Sequence, residues 1–362
     1  MTGDSTRSAG ATSPDTGAGP ASTAPAVSSF GPREALLLVL LSSMWGLSFL
    51  FVEVALAELG PFWIVAGRTT VGGFVLLAIL LLRRKPLPRG AGLWSRLLVL
   101  GLINNAAPWT MLAWAQQTLP SGLTGLLMAI VPTSTLVVAA LVGLERITPR
   151  RMTGLLLALG GVGVIVGADI EQPGRVTAVL VVVLATMLYA AGAVFAKSRV
   201  SGHAPPLALA TGQVLSAAAF TVPVALVVEG PVSVGQLRLA TLASVGALGA
   251  LGTGLAFLVF YTLVARVGAT NATLTTYLIP IVAVVAGALA LDERLGPSAL
   301  AGGALILVGI WLAQRAPGPR TTRWSTRAGV PPPTSPDHRP TTVVGTWAMS
   351  ATAVHHSCPT TS

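Results

Sequence analysis

The sequence predicts an all-α integral membrane protein whose ten transmembrane helices form two inverted five-helix repeats. Three observations predict this fold: an apolar composition, ten hydrophobic runs and a motif that occurs twice. Hydrophobic residues make up 53% of the 362 residues and charged residues 9%, against roughly a quarter charged in a soluble domain. A soluble protein this apolar could not cover its surface, so we expect the chain to lie in a lipid bilayer.

The ten hydrophobic runs are mostly long enough to cross a bilayer as a helix of about 20 residues. They lie at 35–57, 61–82, 97–115, 122–144, 152–168, 176–196, 206–228, 239–265, 269–291 and 298–314. The fifth and tenth runs are the shortest and are rich in glycine, which allows helices to approach closely. We interpret these glycines as scaffold packing or as the contact of a homodimer: Gly160, Gly161, Gly163, Gly167, Gly302 and Gly303.

The stretch from Pro132 to Gly161 recurs from Pro280 to Gly309. Two prolines, a Glu-Arg pair and two glycines each return 148 positions later. In the first copy the second proline is followed by two arginines, and in the second copy by Ser-Ala. Because arginine beside a span marks the cytoplasmic side, the two copies are predicted to be inserted upside down relative to each other. Inverted repeats are typical of transporters that bind their substrate near the bilayer midplane.

The repeat predicts four regions. Residues 1–34 form a disordered N-terminal tail, 35–170 the first repeat, 171–315 the second, and 316–362 a disordered, basic, Pro-rich tail. Residues 1–30 are mostly Ser, Thr, Ala, Gly and Pro, too poor in large apolar side chains to bury a core. They lack a signal-peptide pattern, so the first run is expected to remain as a span. We interpret His355, His356 and Cys358 near the C-terminus as incidental, and predict neither a metal nor a cofactor.

The charges predict that both termini are cytoplasmic. On that side the short segments hold twelve Lys or Arg residues before the tail is counted, whereas the opposite side holds three. This asymmetry sets the orientation of a multi-pass protein in the cytoplasmic membrane. The basic residues lie in short loops and in the tail rather than on one helical face, so no nucleic-acid partner is predicted.

Several motifs carry a resemblance. The first run contains Trp45-Gly46-x-x-Phe49, the second Pro61 and Arg68, and the fourth Pro132 followed by Gly143-x-Glu145-Arg146. Repeated over ten spans between about 35 and 315, this arrangement resembles the EamA-type transporters of the drug/metabolite transporter superfamily. The resemblance implies export or exchange of small organic metabolites, amino acids or drugs across the cytoplasmic membrane. Two positions depart from it: Glu53 stands where the family often has Lys, and Tyr189 replaces the tryptophan in the second copy.

The predicted function is secondary transport, with export of a small metabolite, amino acid or drug-like solute by alternating access. Uptake or exchange by the same fold is the alternative. A membrane receptor, a channel or an intramembrane enzyme has less support, because the spans contain no P-loop, no HExxH and no paired acids. We therefore do not expect an enzyme.

Glu53 and Arg68 are the only ionisable residues clearly inside the runs, and such residues are candidates for function. Their depths in the first two spans agree within a turn. One interpretation is an ion pair that fixes the first helix against the second. The other is that Glu53 couples transport to protons.

Polar residues beside prolines predict the substrate cavity. A proline in a span frees a backbone carbonyl, which is tolerated where a cavity or a neighbour satisfies it. Helix–helix hydrogen bonding by Ser and Thr and simple packing by the rings are the alternatives. With no full charge expected near its centre, the cavity predicts a neutral, zwitterionic or aromatic solute. The candidate residues are Trp45, Ser48, Asn104, Asn105, Trp109, Thr133, Tyr189, Thr253, Thr276 and Tyr277.

Overall fold

The computed structural model describes residues 31–145, 147–168 and 171–314. Arg146 and most of both predicted tails, with His355, His356 and Cys358, lie outside these ranges. Nine described helices are long and apolar enough to span a membrane, and a tenth has 17 residues. In chain order they are α1 Pro32–Leu56, α2 Pro61–Leu82, α3 Ala91–Gln116, α4 Ser121–Leu141, α5 Pro149–Ala168, α6 Pro173–Val200, α7 Pro206–Val228, α8 Leu239–Gly268, α9 Thr275–Leu291 and α10 Pro297–Gln314.

Six of the ten helices begin at a proline. Proline is favoured in the first turn because its missing N–H has no intrahelical partner there and its φ is already helical. The hydrophobic runs alone therefore predicted several starts too late. The first helix begins at Pro32 rather than at residue 35, and α3 begins at Ala91 rather than at residue 97.

The helix pairing follows the inverted repeat. Helices α2 and α7 are repeat counterparts and pack on each other, as do α5 and α10. The other major contacts join one half to the other or repeat by symmetry. Helix α1 packs on α9 and α8, and its repeat counterpart α6 packs on α4 and α3, the counterparts of α9 and α8. An axis in the membrane plane that exchanges the two halves reproduces this whole set of neighbours.

Backbone irregularities recur at the same places in both halves. A π-helical segment interrupts α3 at Leu102–Ala106, and another interrupts α8 at Ala250–Leu255. Their causes differ. In α3 Pro108 cannot donate to the carbonyl four residues earlier, whereas α8 has three glycines and Thr253 near its segment. Such π segments are frequent at functional sites.

The fourth helix of the first half is also interrupted, and in the second half the chain breaks before the fourth helix, whereas Pro280 lies inside α9. A 3₁₀ turn at Met128–Ile130 divides α4 just before Pro132. On the other side, Gly268 has φ 78° and breaks the chain after α8, so that a short helical turn and a bend precede α9. The predicted ninth run therefore contributes a shorter continuous helix than residues 269–291.

Helices α5 and α10 cross through glycines on each other's backbones. A Cβ at Gly161 would lie 2.4 Å from the carbonyl oxygen of Gly302, and one at Gly154 would lie 2.5 Å from that of Gly309. By contrast Gly160, Gly163 and Gly167 face away from the bundle, and a Cβ at any of them would meet nothing within 4 Å. The first group packs the scaffold within one chain. The homodimer stays a prediction, and the outward glycines are the face at which a second copy would meet it.

Candidate substrate-binding cavity

A cavity of about 170 Å³ lies between the two halves, with walls from α1 to α4 and from α6, α8 and α9. Its volume is about ten times what a single water requires. The lining is mainly apolar, as is usual for small-molecule sites. Eight of the twelve predicted residues line it: Trp45, Ser48, Arg68, Asn104, Asn105, Trp109, Tyr189 and Thr276.

Arg68 brings a cation into the wall of this cavity. Its Nε donates to the Thr253 hydroxyl at 3.1 Å and an Nη donates to the Gly252 carbonyl at 3.4 Å. The guanidinium carbon lies 3.8 Å from the centre of the Trp109 ring, a cation–π contact. All three partners are neutral. The expectation of a cavity without a full charge is therefore wrong.

The structure does not pair Glu53 with Arg68, because no oxygen of this carboxylate comes within 4 Å of the guanidinium among the described ion pairs. Glu53 instead accepts a 3.3 Å hydrogen bond from the Gln116 amide of α3. Equal depth did not bring the two side chains together, since residues on neighbouring helices also need to point at each other. Glu53 does not line the cavity itself.

Three amide side chains end at the cavity with unmet hydrogen-bonding capacity. The Asn104 and Gln116 carbonyl oxygens and the Asn105 nitrogen are buried without a partner. Asn105 accepts a hydrogen bond from Gln213 of α7, and Gln116 donates to the backbone oxygen of Phe49 at 2.9 Å. Unpaired buried polar atoms are rare in folded proteins and call for a ligand, a water or a functional reason.

Two glycines admit polar side chains to the helix interfaces beside the cavity. A Cβ at Gly252 would come within 2.6 Å of the Ser48 oxygen, and one at Gly192 within 2.6 Å of the Asn104 oxygen. The two contacts are related by the repeat, because the α1–α8 interface of the first contact corresponds to the α6–α3 interface of the second. Each interface therefore sets one polar residue against one glycine.

Aromatic rings cover the rest of the wall. Trp45 packs on Phe260 of α8 with ring centres 5.6 Å apart, and Phe260 packs on Tyr261 at 5.5 Å. Tyr189 lies beside Trp109 and Arg68. These rings offer a solute a large apolar surface together with a few polar groups.

Two predicted residues point elsewhere. Thr133 is buried but does not line the cavity, and Tyr277 donates a 2.8 Å hydrogen bond to Gln314 of α10. Thr133 follows the cavity-lining Val131 by two positions and Tyr277 follows Thr276 by one, and a helix turns about 100° per residue. Thr253 is also outside the lining, but it acts there through its hydrogen bond to Arg68.

Sequence reasoning missed Gln116 and three phenylalanines, Phe49, Phe257 and Phe260. Gln116 carried only a weak signal, because it lies just beyond the predicted run 97–115 and beside the loop 117–120. The phenylalanines carried none, because phenylalanine is equally common on lipid-facing surfaces.

Two ends of the bundle flank the cavity. We call the end that holds the loops 57–60, 117–120, 229–238 and 292–296 the acidic end, and the end that holds 83–90, 142–148 and 201–205 the basic end. At the acidic end the Glu293 carboxylate accepts the Ser121 and Gly122 backbone N–H groups at 2.8 and 2.9 Å. It thereby caps the N-terminus of α4 from the other half.

Two more carboxylates make the same kind of contact at the acidic end. Glu229 accepts the Phe62 and Trp63 backbone N–H groups at 3.0 Å each, at the start of α2. Glu58 accepts the Arg238 backbone N–H at 2.9 Å and a hydrogen bond from the Thr241 hydroxyl. The Thr241 and Arg238 donors hold the pKa of Glu58 below its ordinary value. Each carboxylate joins one half of the chain to the other.

The basic end has no matching cap among the described residues. Glu145 is the repeat counterpart of Glu293, yet its carboxylate meets only Arg151 of its own half, at 2.7 Å. Its second oxygen is buried without a partner. Burial raises the pKa of Glu145 above its ordinary value, against the pull of Arg151 and the weaker pull of Lys197 from the other half.

Comparison with known proteins identifies the family. The EamA-like transporter family matches residues 33–167 and 176–314, which correspond to α1–α5 and α6–α10 with a few helix-end residues left out. A probable amino-acid metabolite efflux pump of Salmonella typhimurium is 26% identical over 77% of this chain and 94% of its own length. An uncharacterized transporter of Archaeoglobus fulgidus is 25% identical over 78% of this chain and 99% of its own.

A solved crystal structure of a protein supports the fold. It covers 78% of this chain and 97% of its own, with a TM-score of 0.57 and 21% sequence identity. The doubled family match, the relatives of nearly full length and the apolar helices agree with one another. The chain is a multi-pass membrane transporter and belongs to the EamA-like transporter family.

Proposed function

We propose that this protein exports small organic metabolites from the cytoplasm as a secondary transporter, by alternating access to the cavity. The cavity between the halves carries the proposal, because both repeats contribute to its wall. The relatives named as amino-acid metabolite efflux pumps support export and suggest solutes of amino-acid size.

The packing of α4 against α9 supports alternating access. At the acidic end a Cβ on Gly125 would lie 2.3 Å from that of Ala283, so the two helices touch there. Met128 of α4 and Thr276 of α9 line the cavity immediately beyond this crossing. The second half of α4 makes no comparable set of contacts with α9. We infer that the cavity is closed toward the acidic end, where α4 and α9 touch, and opens toward the basic end.

The orientation completes the proposal. With Lys and Arg concentrated at the basic end, that end faces the cytoplasm and both termini lie there. Cysteine accessibility tests this in a background where Cys358, the single cysteine, is replaced by serine. An impermeant maleimide outside the cell should label a cysteine at Gln117 and not one at Arg84. The opposite labelling would invert the orientation.

Metabolite profiling tests the transport itself. A strain that overexpresses the protein should release at least one small metabolite faster than a null strain, and Asn105→Leu should reduce that release. Gly163→Ala is the matched control, because this glycine faces open space. Proteoliposomes should show counterflow of the same solute without ATP. If no solute differs between the strains, the proposal is wrong.

Proton coupling by Glu53 is a separable part of the proposal. Its carboxylate is partly buried and accepts a hydrogen bond from the Gln116 amide of α3. If Glu53 carries the coupling proton, Glu53→Gln should remove the pH dependence of transport in proteoliposomes. A pH profile that is unchanged in this variant would eliminate proton coupling through Glu53 and leave transport by the cavity intact.

A further inference from the structure

The cavity wall contains both a cation, Arg68, and an amide acceptor without a donor, Gln116. No Asp or Glu occurs among the described residues that line the cavity, and Arg68 is the only Lys or Arg among them. A charged group at this depth ordinarily has an opposite charge as its partner. Arg68 has a hydroxyl, a carbonyl and an indole ring instead.

The contacts of Arg68 leave part of its donor fork free for another group. Guanidinium has five N–H donors in one plane, and the structure commits one at Nε and one at an Nη. These bonds to α8 and the stacking on Trp109 fix the plane of the group. A fixed fork of this kind matches a carboxylate, which accepts two parallel hydrogen bonds from arginine.

The orientation of the Gln116 amide is determined by its neighbours. Its nitrogen donates to a backbone carbonyl, that of Phe49, and lies 3.3 Å from a carboxylate oxygen of Glu53. Neither a carbonyl nor a carboxylate can donate to it, so the amide cannot be reversed. The Gln116 oxygen is therefore an acceptor, and it is buried without a donor.

We propose that Arg68 binds the carboxylate of the transported solute and that the Gln116 carbonyl accepts its ammonium group. This inference rests on the proposed export function and names the solute class as zwitterionic amino acids with an apolar side chain. The rings of Trp45 and Phe260 provide the apolar surface for that side chain. Glu53 lies behind Gln116, whose amide nitrogen donates to it.

Paired probes test the two contacts separately. Counterflow in proteoliposomes is measured with phenylalanine, leucine and valine, each compared with its carboxamide, which lacks the carboxylate, and with its deaminated acid. Wild-type protein should prefer at least one amino acid over its carboxamide by about tenfold or more, as expected for loss of a charged hydrogen-bonded pair. In Arg68→Gln that preference should fall to within about twofold, while Arg68→Lys should keep part of it.

Gln116→Leu should affect the other contact. It should abolish the preference for the amino acid over the deaminated acid and leave the preference over the carboxamide in place. Arg89→Gln, in the exposed loop at the basic end, is the control for loss of a positive charge and should leave both ratios unchanged. Because each ratio is measured within one variant, a lower amount of folded protein does not change it.

The possible failures are distinguishable. If wild-type protein carries carboxamides as well as amino acids, or carries only solutes of other classes, the inference is wrong while the export function stands. If Arg68→Gln keeps the full preference, another group binds the carboxylate and the inference is likewise wrong. If no solute moves in wild-type protein, the proposed function itself has failed. Should Arg68→Gln fail to insert, the wild-type ratios and Arg68→Lys decide the question.

Discussion

The acidic and basic ends carry the same motif in opposite states. Glu293 at the acidic end accepts two backbone N–H groups of α4 from the other half, whereas its counterpart Glu145 contacts only Arg151 of its own half. The two residues come from the same position of the repeat. We attribute their difference to the conformation of the bundle: this motif caps a helix across the halves only at the acidic end, while the basic end is joined across the halves by Arg266 with Glu34 and by Arg96 with Arg199.

This difference suggests how the inverted repeat works. If the two halves exchange conformations, Glu145 should take up a contact across the halves when Glu293 releases its own. The energy available is set by the contacts: a hydrogen bond to a charged group contributes about 1.5–3 kcal/mol. Two such bonds at one end are enough to bias a conformational equilibrium by about tenfold or more. The following predictions test whether the ends are related in this way.

The largest effect is expected from removal of the Glu293 cap. Glu293→Ala deprives the Ser121 and Gly122 N–H groups of their acceptor, so the acidic end should open more often. With Cys358 replaced by serine and a cysteine at Ser48 in the cavity, labelling from the acidic side should accelerate about tenfold, which corresponds to about 1.4 kcal/mol. Asp292→Ala, one residue away and exposed, is the control. Equal labelling rates in both variants would show that Glu293 does not hold the acidic end closed.

A smaller effect in the same direction is expected from the α4–α9 crossing. Gly125→Val places side-chain atoms where the Ala283 Cβ lies 2.3 Å from the new Cβ. Overpacking of this kind costs about 1–3 kcal/mol, and the cost applies only while the acidic end is closed. Labelling at Ser48 should therefore accelerate about threefold to tenfold. Gly163→Val, whose Cβ meets nothing within 4 Å, should leave the rate unchanged.

The same crossing marks a limit of sequence reasoning. Hydropathy and the repeat predicted an all-helical membrane protein, and the fold and family confirm it. Glycine content also predicted close helix packing at α5 and α10, either in the scaffold or at a homodimer contact. It did not separate Gly161, which touches α10, from Gly163, which faces outward, because composition does not contain the direction of each side chain.

The sequence predicted how deep in the membrane the polar residues of the cavity lie. Asn104, Asn105 and Arg68 stood out because polar groups are costly inside a bilayer, and all three line the cavity; their roles in binding remain predictions. Depth did not predict which neighbour each would meet. Glu53 and Arg68 do not form the predicted pair: Glu53 is hydrogen-bonded to Gln116 and Arg68 to Thr253 of α8. Such partners depend on helix rotation, which only packing between the halves determines.

The basic end should respond to substitution differently from the acidic end. Burial raises the pKa of Glu145, so its charged form is disfavoured in this conformation and the associated stability is lost as pH rises through the raised pKa. Glu145→Gln removes the charge and keeps the shape. We expect an unfolding temperature at about pH 7 that is unchanged or slightly higher, together with slower transport, because the contact is needed in the other conformation. A clear loss of thermal stability would contradict this.

The smallest effect is expected at Glu58, and its dependence on pH has the opposite sign. Hydrogen bonds from Thr241 and Arg238 lower its pKa below the ordinary value of 4.5, so the stability it contributes is present above that value and is lost as pH falls through the folded-state pKa. Glu58→Gln should therefore unfold at a slightly lower temperature than wild-type protein near pH 7, and the difference should disappear at about pH 3. Glu171→Gln, an exposed acid at the same end, controls for loss of charge. Acid should thus remove the stability that Glu58 contributes at the acidic end, while protonation removes the unfavourable charge of Glu145 at the basic end. A difference in unfolding temperature for Glu58→Gln that persisted at low pH would contradict this opposite pH dependence.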